Sequence, residues 1–252
     1  MSNIQSVKRA FSILRAIAAN SKGLGITDIA HQVGLPISTV ARLLATLEEL
    51  EAIERVPNRG GFRIGGGTIA LVLQVPYHRH LTILARSCLL ELAETTREAV
   101  GLSLLDGDAM VVVDLIRSQR RVQVADATGD RFPPYATSPG KVLLAQLPEE
   151  VLDRYLARPL ERFTPKTITD PHLLRQQLVT IREQGYAWVG EEFDEIAGVS
   201  APIQDDMGKV VAAINVYGPA FRFPPDGQID EITCLVVEAA HKITARIREY
   251  LA

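Results

Sequence analysis

Cysteine is scarce in this 252-residue chain, and the marks of membrane or secreted proteins are missing. Cys88 and Cys234 are far apart, each falls in a helical pattern, and neither has a metal-ligand spacing. We therefore expect two buried thiols in a reducing cytoplasm, with no metal or cofactor. No apolar run reaches about 18 residues, and no basic-then-apolar N-terminus is present. These absences predict a cytoplasmic protein without a membrane span or signal peptide.

The charge that is present is distributed unevenly along the chain. Residues 1–64 carry eight Lys and Arg against five Asp and Glu, whereas the whole chain has a formal net charge of -3. Such asymmetry predicts a nucleic-acid surface on the first part only. Because binding strength grows with the number of phosphates neutralised, this modest excess predicts weak binding by one copy. It therefore favours a homo-oligomer, either a dimer or a tetramer.

Residues 25–64 have the pattern of a winged helix-turn-helix. A short apolar-periodic segment, 26–33, is followed by Gly34, which suits a tight turn, and by a second helix from about Pro36. In that helix the apolar residues Val40, Leu43, Leu44 and Leu47 recur at helical spacing and predict a buried stripe. The opposite face then carries short hydroxyls and the guanidinium of Arg42, the groups that read base edges or phosphates in a major groove.

A basic hairpin follows the second helix and completes the motif. Residues 53–56 and 62–64 read as strands around an Asn- and Gly-containing turn, and three arginines are predicted to cluster there, near phosphates. An ordinary helical hairpin beside a β-hairpin, with solvated arginines, is the alternative interpretation. The predicted contacts to double-stranded DNA are Arg9, Thr27, Ser38, Thr39, Arg42, Thr46, Arg55, Arg59 and Arg63.

The rest of the chain alternates between strand and helix patterns of an α+β fold. Strands are predicted at 102–105, 110–116, 122–124, 188–189, 199–203 and 210–216, with helices at 138–146, 148–157, 171–184 and 225–250. A helix at 81–96 reads as a connector. The sequence thus predicts a winged helix-turn-helix domain at 1–67, a linker and connecting helix at 68–97, and an effector domain at 98–252.

A small-molecule pocket is suggested where polar groups meet apolar segments of the second half. The helix that opens at Ser138 would present free N–H groups that favour an anion such as a carboxylate, although plain capping by Thr137 or Ser138 explains the same residues. Lys141 is expected to point outward. Polar side chains on apolar strands, including Ser200, Asn215 and Tyr217, either line a cavity or face solvent. Glu192 either accepts from a ligand or lies on a solvated rim.

Several motifs together resemble the isocitrate-lyase-regulator (IclR) family of bacterial transcription factors. They are the opening helix at 6–14, the recognition segment at 34–44, the segment at 136–145, and the segments at 185–187, 191–193, 198–203 and 211–219. The resemblance covers essentially the whole chain. Glu51 departs from the pattern, because the family usually has a glycine there, which suits a left-handed cap. We expect a local difference where the chain enters the wing.

The resemblance implies a ligand-responsive transcriptional regulator. Its second domain would be a GAF-like α/β domain that binds a small organic or aromatic acid. The regulator would bind a pseudo-palindromic operator as a dimer or a dimer of dimers. Combined with the pocket residues above, the resemblance gives these candidate effector contacts: Ala136, Thr137, Ser138, Glu192, Gly198, Ser200, Asn215 and Tyr217.

Two other functions are weighed against a regulator. A GAF-domain enzyme of the thiol redox type needs a nucleophilic thiol with a resolving partner, and the two cysteines lack nearby basic activators. No catalytic residues are therefore assigned. A purely structural DNA-binding protein would not need the large α+β second half, which argues against that function.

Overall fold

A computed structural model of the chain describes residues 4–20, 23–57, 60–73 and 77–251. The chain forms two compact units, Met1–Pro76 and Tyr77–Ala252. The structure therefore divides the chain once, between residues 76 and 77, where the sequence predicts a separate connecting segment at 68–97. The helix that fills most of that segment packs inside the second unit, as described below.

The first unit is a winged helix-turn-helix. Its elements are α1 (Gln5–Ala18), α2 (Ile26–Val33), α3 (Ile37–Glu49), β1 (Ile53–Arg55), β2 (Phe62–Ile64) and α4 (Gly66–Leu73). β1 and β2 pair antiparallel as the wing. Gly34 ends α2 with a left-handed φ of 65°, so that the Leu35 N–H returns to the Ala30 carbonyl. This conformation suits glycine and provides the predicted turn.

The face by which α1 packs differs from the one that its sequence predicts. Ile13 and Ile17 are fully buried against α2, α3 and the wing. Val7 and Phe11, which the apolar periodicity places on the inner face together with Leu14 and Ala18, are instead more than half exposed. The helix carries apolar residues on more than one side, so periodicity alone does not identify the side that meets the core.

The residue that departs from the family pattern keeps the conformation of a glycine. Glu51 has a φ of 56°, its N–H donates to the Glu48 carbonyl, and the Ala52 N–H donates to the Leu47 carbonyl. This pair of bonds is the Schellman motif that ends a helix. The wing is therefore reached by the geometry that a glycine would give, and the expected local difference is absent at this step.

The glycines at 65–67 are not the flexible break that the sequence suggests. The Gly65 N–H donates to the Ala52 carbonyl and the Gly67 N–H to the Glu51 carbonyl. A Cβ added at Gly65 would lie 2.4 Å from the Glu51 oxygen. Gly65 and Gly67 permit close backbone approach, which lets α4 start directly after the wing.

The second unit is an α+β domain, which confirms the predicted fold class. Its elements are α5 (Tyr77–Thr96), β3 (Ala99–Asp106), β4 (Ala109–Ile116), β5 (Arg131–Phe132), a short 3₁₀ turn (Pro134–Ala136), α6 (Ser138–Leu144), α7 (Glu149–Leu156), α8 (Pro171–Gln184), β6 (Ala187–Gly190), β7 (Ile196–Gln204), β8 (Val210–Pro219) and α9 (Ile229–Leu251). The strands form one antiparallel sheet in the order β5-β4-β3-β8-β7-β6.

Helices cover both faces of this sheet, and the alternation of side chains on each strand separates two cores. On β8, Ala212, Ile214 and Val216 pack with α5 and α9 in one core. The intervening residues point to the opposite face, where α6, α7 and α8 form the second core. That second face carries Asn215 and Tyr217, so strand alternation determines which polar groups reach the same side as α6.

The structure contradicts the predictions for one strand and for one cysteine of this unit. The third strand is not at 122–124, where the residues are irregular and Val122 is exposed; it is β5, at Arg131–Phe132. Cys88 is buried on α5, but Cys234 is exposed. The buried stripe of α9 runs through Ile232, Val236 and Ala240, and Cys234 falls off that stripe.

The helix predicted as a connector, α5, is a core element of the second unit. Leu81, Ala85, Cys88, Leu89 and Leu92 are buried on its inner side against the sheet and α9. Its apolar stripe is therefore used within this unit. None of the helices in the described residues is long and apolar enough to cross a membrane.

Candidate DNA-binding surface and effector cavity

The second helix of the helix-turn-helix, α3, separates apolar and polar residues as predicted. Val40, Leu44 and Leu47 are buried in the core of the first unit, and Leu43 is half-buried beside them. On the other side Ser38 and Arg42 are exposed and Thr39 is half-buried. Arg42 has no ion-pair partner within the described ranges, so its guanidinium is available to a base or phosphate.

The other predicted DNA contacts differ in how exposed they are and in whether their side chains are already hydrogen-bonded. Thr27 is exposed in the first turn of α2, and Arg9 is half-buried on α1. Thr46 is exposed on α3, but its hydroxyl donates to the Arg42 carbonyl, 3.2 Å away. Arg59 lies outside the described residues.

Of the three wing arginines, the two that the structure describes, Arg55 and Arg63, do not cluster. In the register of the hairpin Arg55 opposes Phe62 and Arg63 opposes Glu54, so Arg55 and Arg63 point to opposite faces of the two strands. Arg55 binds Glu48 through two bonds of 2.9 and 3.3 Å and lies over the Phe62 ring. Arg63 binds Glu54 at 2.6 Å. Both pairs are exposed, and exposed pairs contribute little stability, so a phosphate can compete for either arginine.

A cavity of about 110 Å³ lies in the second unit between the sheet and the start of α6. This is several times the space that a water molecule needs. Apolar side chains dominate the lining: Met110, Val112, Val124, Ala127, Phe132, Ala136, Pro139, Val189, Phe193 and Ile196. The polar lining residues are Ser103, Thr137, Ser138, Asp194, Asn215 and Tyr217. An apolar cavity with a few convergent polar groups is typical of small-molecule sites.

Most of the predicted effector residues meet at this cavity. Those that line it are Ala136, Thr137, Ser138, Gly198, Asn215 and Tyr217. Ser200 does not; it is fully buried behind Ser138, and its hydroxyl donates to the Ser138 hydroxyl at 2.8 Å. At Gly198 an added Cβ would lie 3.0 Å from the Tyr217 Cβ, so glycine keeps room for the lining.

Glu192 is also placed away from the cavity, and the reason is Lys141. The Lys141 ammonium is fully buried and lies 2.6 Å from both carboxylate oxygens of Glu192. The sequence predicts that Lys141 points outward, and this prediction is wrong. Every residue of α6 is buried, so no position on this helix faces solvent. Burial lowers the pKa of Lys141, and the Glu192 carboxylate opposes that shift. The pair is a structural link between α6 and the segment after β6.

The start of α6 is capped by the protein itself. Thr137 is the N-cap, and its hydroxyl accepts from the Gly140 N–H at 3.3 Å. Pro139 has no N–H, and the Lys141 N–H donates to the Thr137 carbonyl. Of the predicted free N–H groups for a carboxylate, only that of Ser138 has no partner among the described residues. Capping, the alternative left open by the sequence, therefore describes most of this helix start.

Two polar side chains in the lining lack hydrogen-bond partners among the described residues. They are Ser103 and Asn215, whose Oγ and Oδ1 atoms are buried. Neighbouring Tyr217 is half-buried, and burial, with a smaller effect of Asp126, raises its pKa to about 12. Its phenol is thus neutral and can donate a hydrogen bond. Buried polar groups are normally paired, so Ser103 and Asn215 leave unmet hydrogen-bonding capacity at this site.

Sequence reasoning missed several lining residues. Ser103 was read only as part of a strand, although it alternates with the core residue Leu102 and so shares a face with Gly101. This alternation is the signal that could have identified it. Phe132, Phe193 and Asp194 gave no such signal, because loops and the short strand β5 bring them to the cavity.

Two family models match the chain. The model described as "IclR helix-turn-helix domain" matches residues 6–57, and the model described as "Bacterial transcriptional regulator IclR C-terminal" matches residues 74–245. The two matches correspond to the two units of the structure. Together they cover most of the chain.

Comparison with individual proteins indicates the same family. The chain is 38% identical to the HTH-type transcriptional regulator Rv1719 of Mycobacterium tuberculosis, over 87% of this chain and 84% of that protein. It is 29% identical to the transcriptional repressor IclR of Escherichia coli, over 96% and 89%. Its fold is similar to the crystal structure of an IclR homolog from Microbacterium hydrocarbonoxydans complexed with 4-hydroxybenzoate, with a TM-score of 0.64, 24% identity and coverage of 97% and 100%.

Proposed function

Because the chain belongs to the IclR family of bacterial transcriptional regulators, we propose that it is a ligand-responsive regulator. The first unit binds an operator, and the second unit senses a small organic molecule in the cavity. The observation that carries this proposal is the cavity, which combines an apolar lining with the unpartnered Ser103 and Asn215 in a chain that also has a helix-turn-helix. A structural DNA-binding protein has no use for such a cavity.

The DNA-binding part rests on the exposed face of α3. Ser38, Thr39 and Arg42 are the residues proposed to enter the major groove, and Thr27, Arg55 and Arg63 to contact the backbone. The sequence assigns Arg9, Thr46 and Arg59 to the same surface, and they are retained as proposed contacts. The protein is proposed to act as a dimer or tetramer on a pseudo-palindromic operator, since each copy carries only a small basic excess.

The effector is proposed to contact Ala136, Thr137, Ser138, Gly198, Asn215 and Tyr217. The organic or aromatic acid that the family resemblance implies is one class of molecule with the required apolar body, and an uncharged molecule is another. A similar solved protein is complexed with 4-hydroxybenzoate, an aromatic acid, which supports an aromatic ring as the body of the ligand. A thiol redox enzyme finds no support here, because neither Cys88 nor Cys234 lines the cavity.

Two variants test the two halves of this proposal separately. The operator is first obtained by selection from a random DNA pool, and effectors by a thermal-shift screen, where a ligand at 100 times its Kd adds about 2.7 kcal/mol. Arg42→Ala is expected to weaken operator binding by about 1–3 kcal/mol. Asn215→Leu is expected to abolish the effect of the ligand on operator affinity. Unchanged operator affinity in the first, or an unchanged ligand midpoint in the second, would contradict the respective assignment.

A further inference from the structure

We propose that the effector cavity selects an uncharged molecule, with an apolar or aromatic body and an amide or hydroxyl group, and discriminates against carboxylates. This inference rests on the proposed function, since it takes the cavity to be the effector site. It concerns the chemical class of the ligand, which the family membership does not determine.

The charge around the cavity disfavours an anionic ligand. Within the described residues the lining contains no Lys, Arg or His, and its one charged side chain is the carboxylate of Asp194. Lys141, a fully buried cation on α6, is bound to Glu192. Asp126 acts electrostatically on Tyr217 and adds a second negative charge near the site, partly offset by Arg117. A carboxylate that leaves water for this cavity would gain no counter-ion, and burying an unpaired charge is costly.

The backbone at the start of α6 replaces the missing cation only in small part. A helix start can hold an anion only through free N–H groups. In α6 the Gly140 N–H is bonded to the Thr137 hydroxyl, the Lys141 N–H to the Thr137 carbonyl, and Pro139 has none. Two donors remain at the helix start: the Ser138 backbone N–H, which has no partner among the described residues, and the Ser138 hydroxyl, which accepts from Ser200 and can donate its own hydrogen into the cavity. Two neutral donors do not neutralise the full charge of a carboxylate, whose two oxygens together offer about four lone-pair sites.

The neutral polar groups of the lining favour a ligand that both donates and accepts hydrogen bonds. Ser103 and Asn215 are more than nine-tenths buried, line the cavity and hold oxygens without partners in the described part of the chain. A hydroxyl and a carboxamide each both donate and accept, as does the phenol of Tyr217. The ligand group that satisfies such a set best also donates and accepts, which an amide or alcohol does and a carboxylate does not.

The body of the ligand is set by the apolar lining. The rings of Phe132 and Phe193 both face the cavity and stand edge to face, with centroids 5.5 Å apart. Aromatic edges and faces favour a ring as their next neighbour. A benzene or naphthalene ring that carries an amide or hydroxyl therefore fits both the apolar and the polar parts of the lining.

Matched probes of equal shape test the charge preference directly. Benzamide and benzoate are nearly isosteric and differ in charge, as are 2-naphthamide and 2-naphthoate, which cover a second ring size. Binding of each to the full-length protein at pH 7.5 is measured by isothermal titration calorimetry. We expect at least one amide to bind at least about tenfold more tightly than its acid, because the carboxylate would lose its hydration without gaining a cation. Equal or tighter binding of the acids, or no binding of any probe, would overturn the inference.

A serine pair tests whether the unpartnered groups hold the ligand. Ser103→Ala removes an unpaired buried hydroxyl, so we expect the melting temperature without ligand to stay or rise and the affinity for the bound amide to fall by up to about tenfold. The matched control is Ser118→Ala, which removes a buried hydroxyl that donates to the Arg97 carbonyl. It should lower the melting temperature and leave affinity unchanged. The opposite pattern would contradict a ligand contact at Ser103.

A further measurement distinguishes failure of the charge preference from failure of the proposed sensing function. Operator affinity is measured with and without each probe that binds. An amide that binds tightly and leaves operator affinity unchanged would count against the proposed sensing function and not against the charge preference. An acid that binds more tightly than its amide and changes operator affinity would overturn the charge preference and leave the sensing function intact.

Discussion

At the scale of single residues, Lys141 shows how a buried charge escapes sequence reasoning. A lysine near the start of a helix is usually solvated, and no local pattern marks this one as different. It is buried because α6 is enclosed on all sides, and it is tolerated because Glu192 lies 2.6 Å away, 51 residues later in the chain. The Thr167 hydroxyl also donates to the Glu192 carbonyl, which holds the carboxylate's segment in place.

This pair gives a stability prediction. Lys141→Met should destabilise the protein by about 3–5 kcal/mol, because it leaves the Glu192 carboxylate buried without a partner. The double variant Lys141→Met with Glu192→Leu should recover most of that loss, since both charges are then absent. Urea unfolding measures both. The exposed pair Lys242 and Glu91 is the control, and Lys242→Met should change stability by less than about 1 kcal/mol. A double variant as unstable as the single one would contradict this account.

Glu51 gives a second prediction at the residue scale. Its φ of 56° is a left-handed conformation that costs a residue with a Cβ about 1–2 kcal/mol and costs glycine almost nothing. Glu51→Gly should therefore stabilise the first unit by about 0.5–1 kcal/mol, after the greater flexibility of glycine in the unfolded chain is subtracted. The measurement is thermal unfolding of the full-length protein, followed by a probe in the first unit.

The control for Glu51→Gly is a glycine placed within the same helix. Ala45 is exposed on α3 and has helical geometry, so Ala45→Gly should destabilise by about 1 kcal/mol. Opposite signs for two glycine substitutions six residues apart would locate the effect in the backbone conformation. If both variants are destabilised equally, Glu51 is not strained.

At the scale of elements, the sequence predicts local order well and packing partners poorly. The helix-turn-helix was predictable because its apolar spacing, its turn glycine and its wing all lie within 40 residues. The inner face of α1 was not, because Val7, Phe11 and Ile13 are all apolar and only the tertiary structure selects among them. The strand expected at 122–124 is absent for a similar reason, since three residues of alternating Val, Gln and Val carry no information about which strand they can pair with.

The candidate site follows the same division. Asn215 and Tyr217 were predictable because strand alternation places them on one face, and the start of α6 because its residues form a motif. The engagement of Ser200 and Glu192 by other side chains was not predictable, since both partners come from α6, more than 50 residues earlier in the chain. Long-range pairing decides whether a polar residue is free to meet a ligand.

The docking of α6 gives a prediction at the element scale. A Cβ added at Gly140 would lie 2.3 Å from the Pro134 Cα and carbonyl oxygen, both backbone atoms of the 3₁₀ turn. Gly140→Ala should therefore separate α6 from this turn and destabilise the second unit by at least about 1–3 kcal/mol. Effector affinity should fall as well, because Ala136 and Ser138 flank the displaced contact.

Gly66→Ala is the matched control for that substitution. Gly66 begins α4, and an added Cβ there would meet nothing within 4 Å, so we expect no loss of stability and a gain of up to about 1 kcal/mol from the better helix former. Guanidinium unfolding compares the two variants. A Gly140→Ala protein of unchanged stability would show that the turn can shift freely, and that the tight docking of α6 does not contribute to the stability of the unit.

At the scale of the whole molecule, the cores and the charge of the two units determine what each unit can contribute to operator binding. Each unit has its own core, so the small basic unit does not depend on the apolar cavity of the other for its fold. Residues 1–64 have only a small excess of positive charge, in a chain of formal net charge -3. Phosphate contacts from a single copy are therefore expected to be few, and we expect operator affinity to come from more than one copy acting together.

Binding by two copies predicts that operator affinity depends on half-site spacing. Two copies related by a two-fold axis read half-sites that lie on one side of the DNA, about one helical turn or a multiple of it apart. Inserting 5 base pairs between the half-sites rotates one of them by about half a turn, and we expect affinity to fall towards that of a single half-site. Inserting about 10 base pairs restores the rotation and should recover part of the affinity. Fluorescence anisotropy at fixed salt measures all three DNAs, and sedimentation of the complexes counts the copies bound. If affinity is the same for every spacing and one copy binds each DNA, the protein recognises its operator as a monomer.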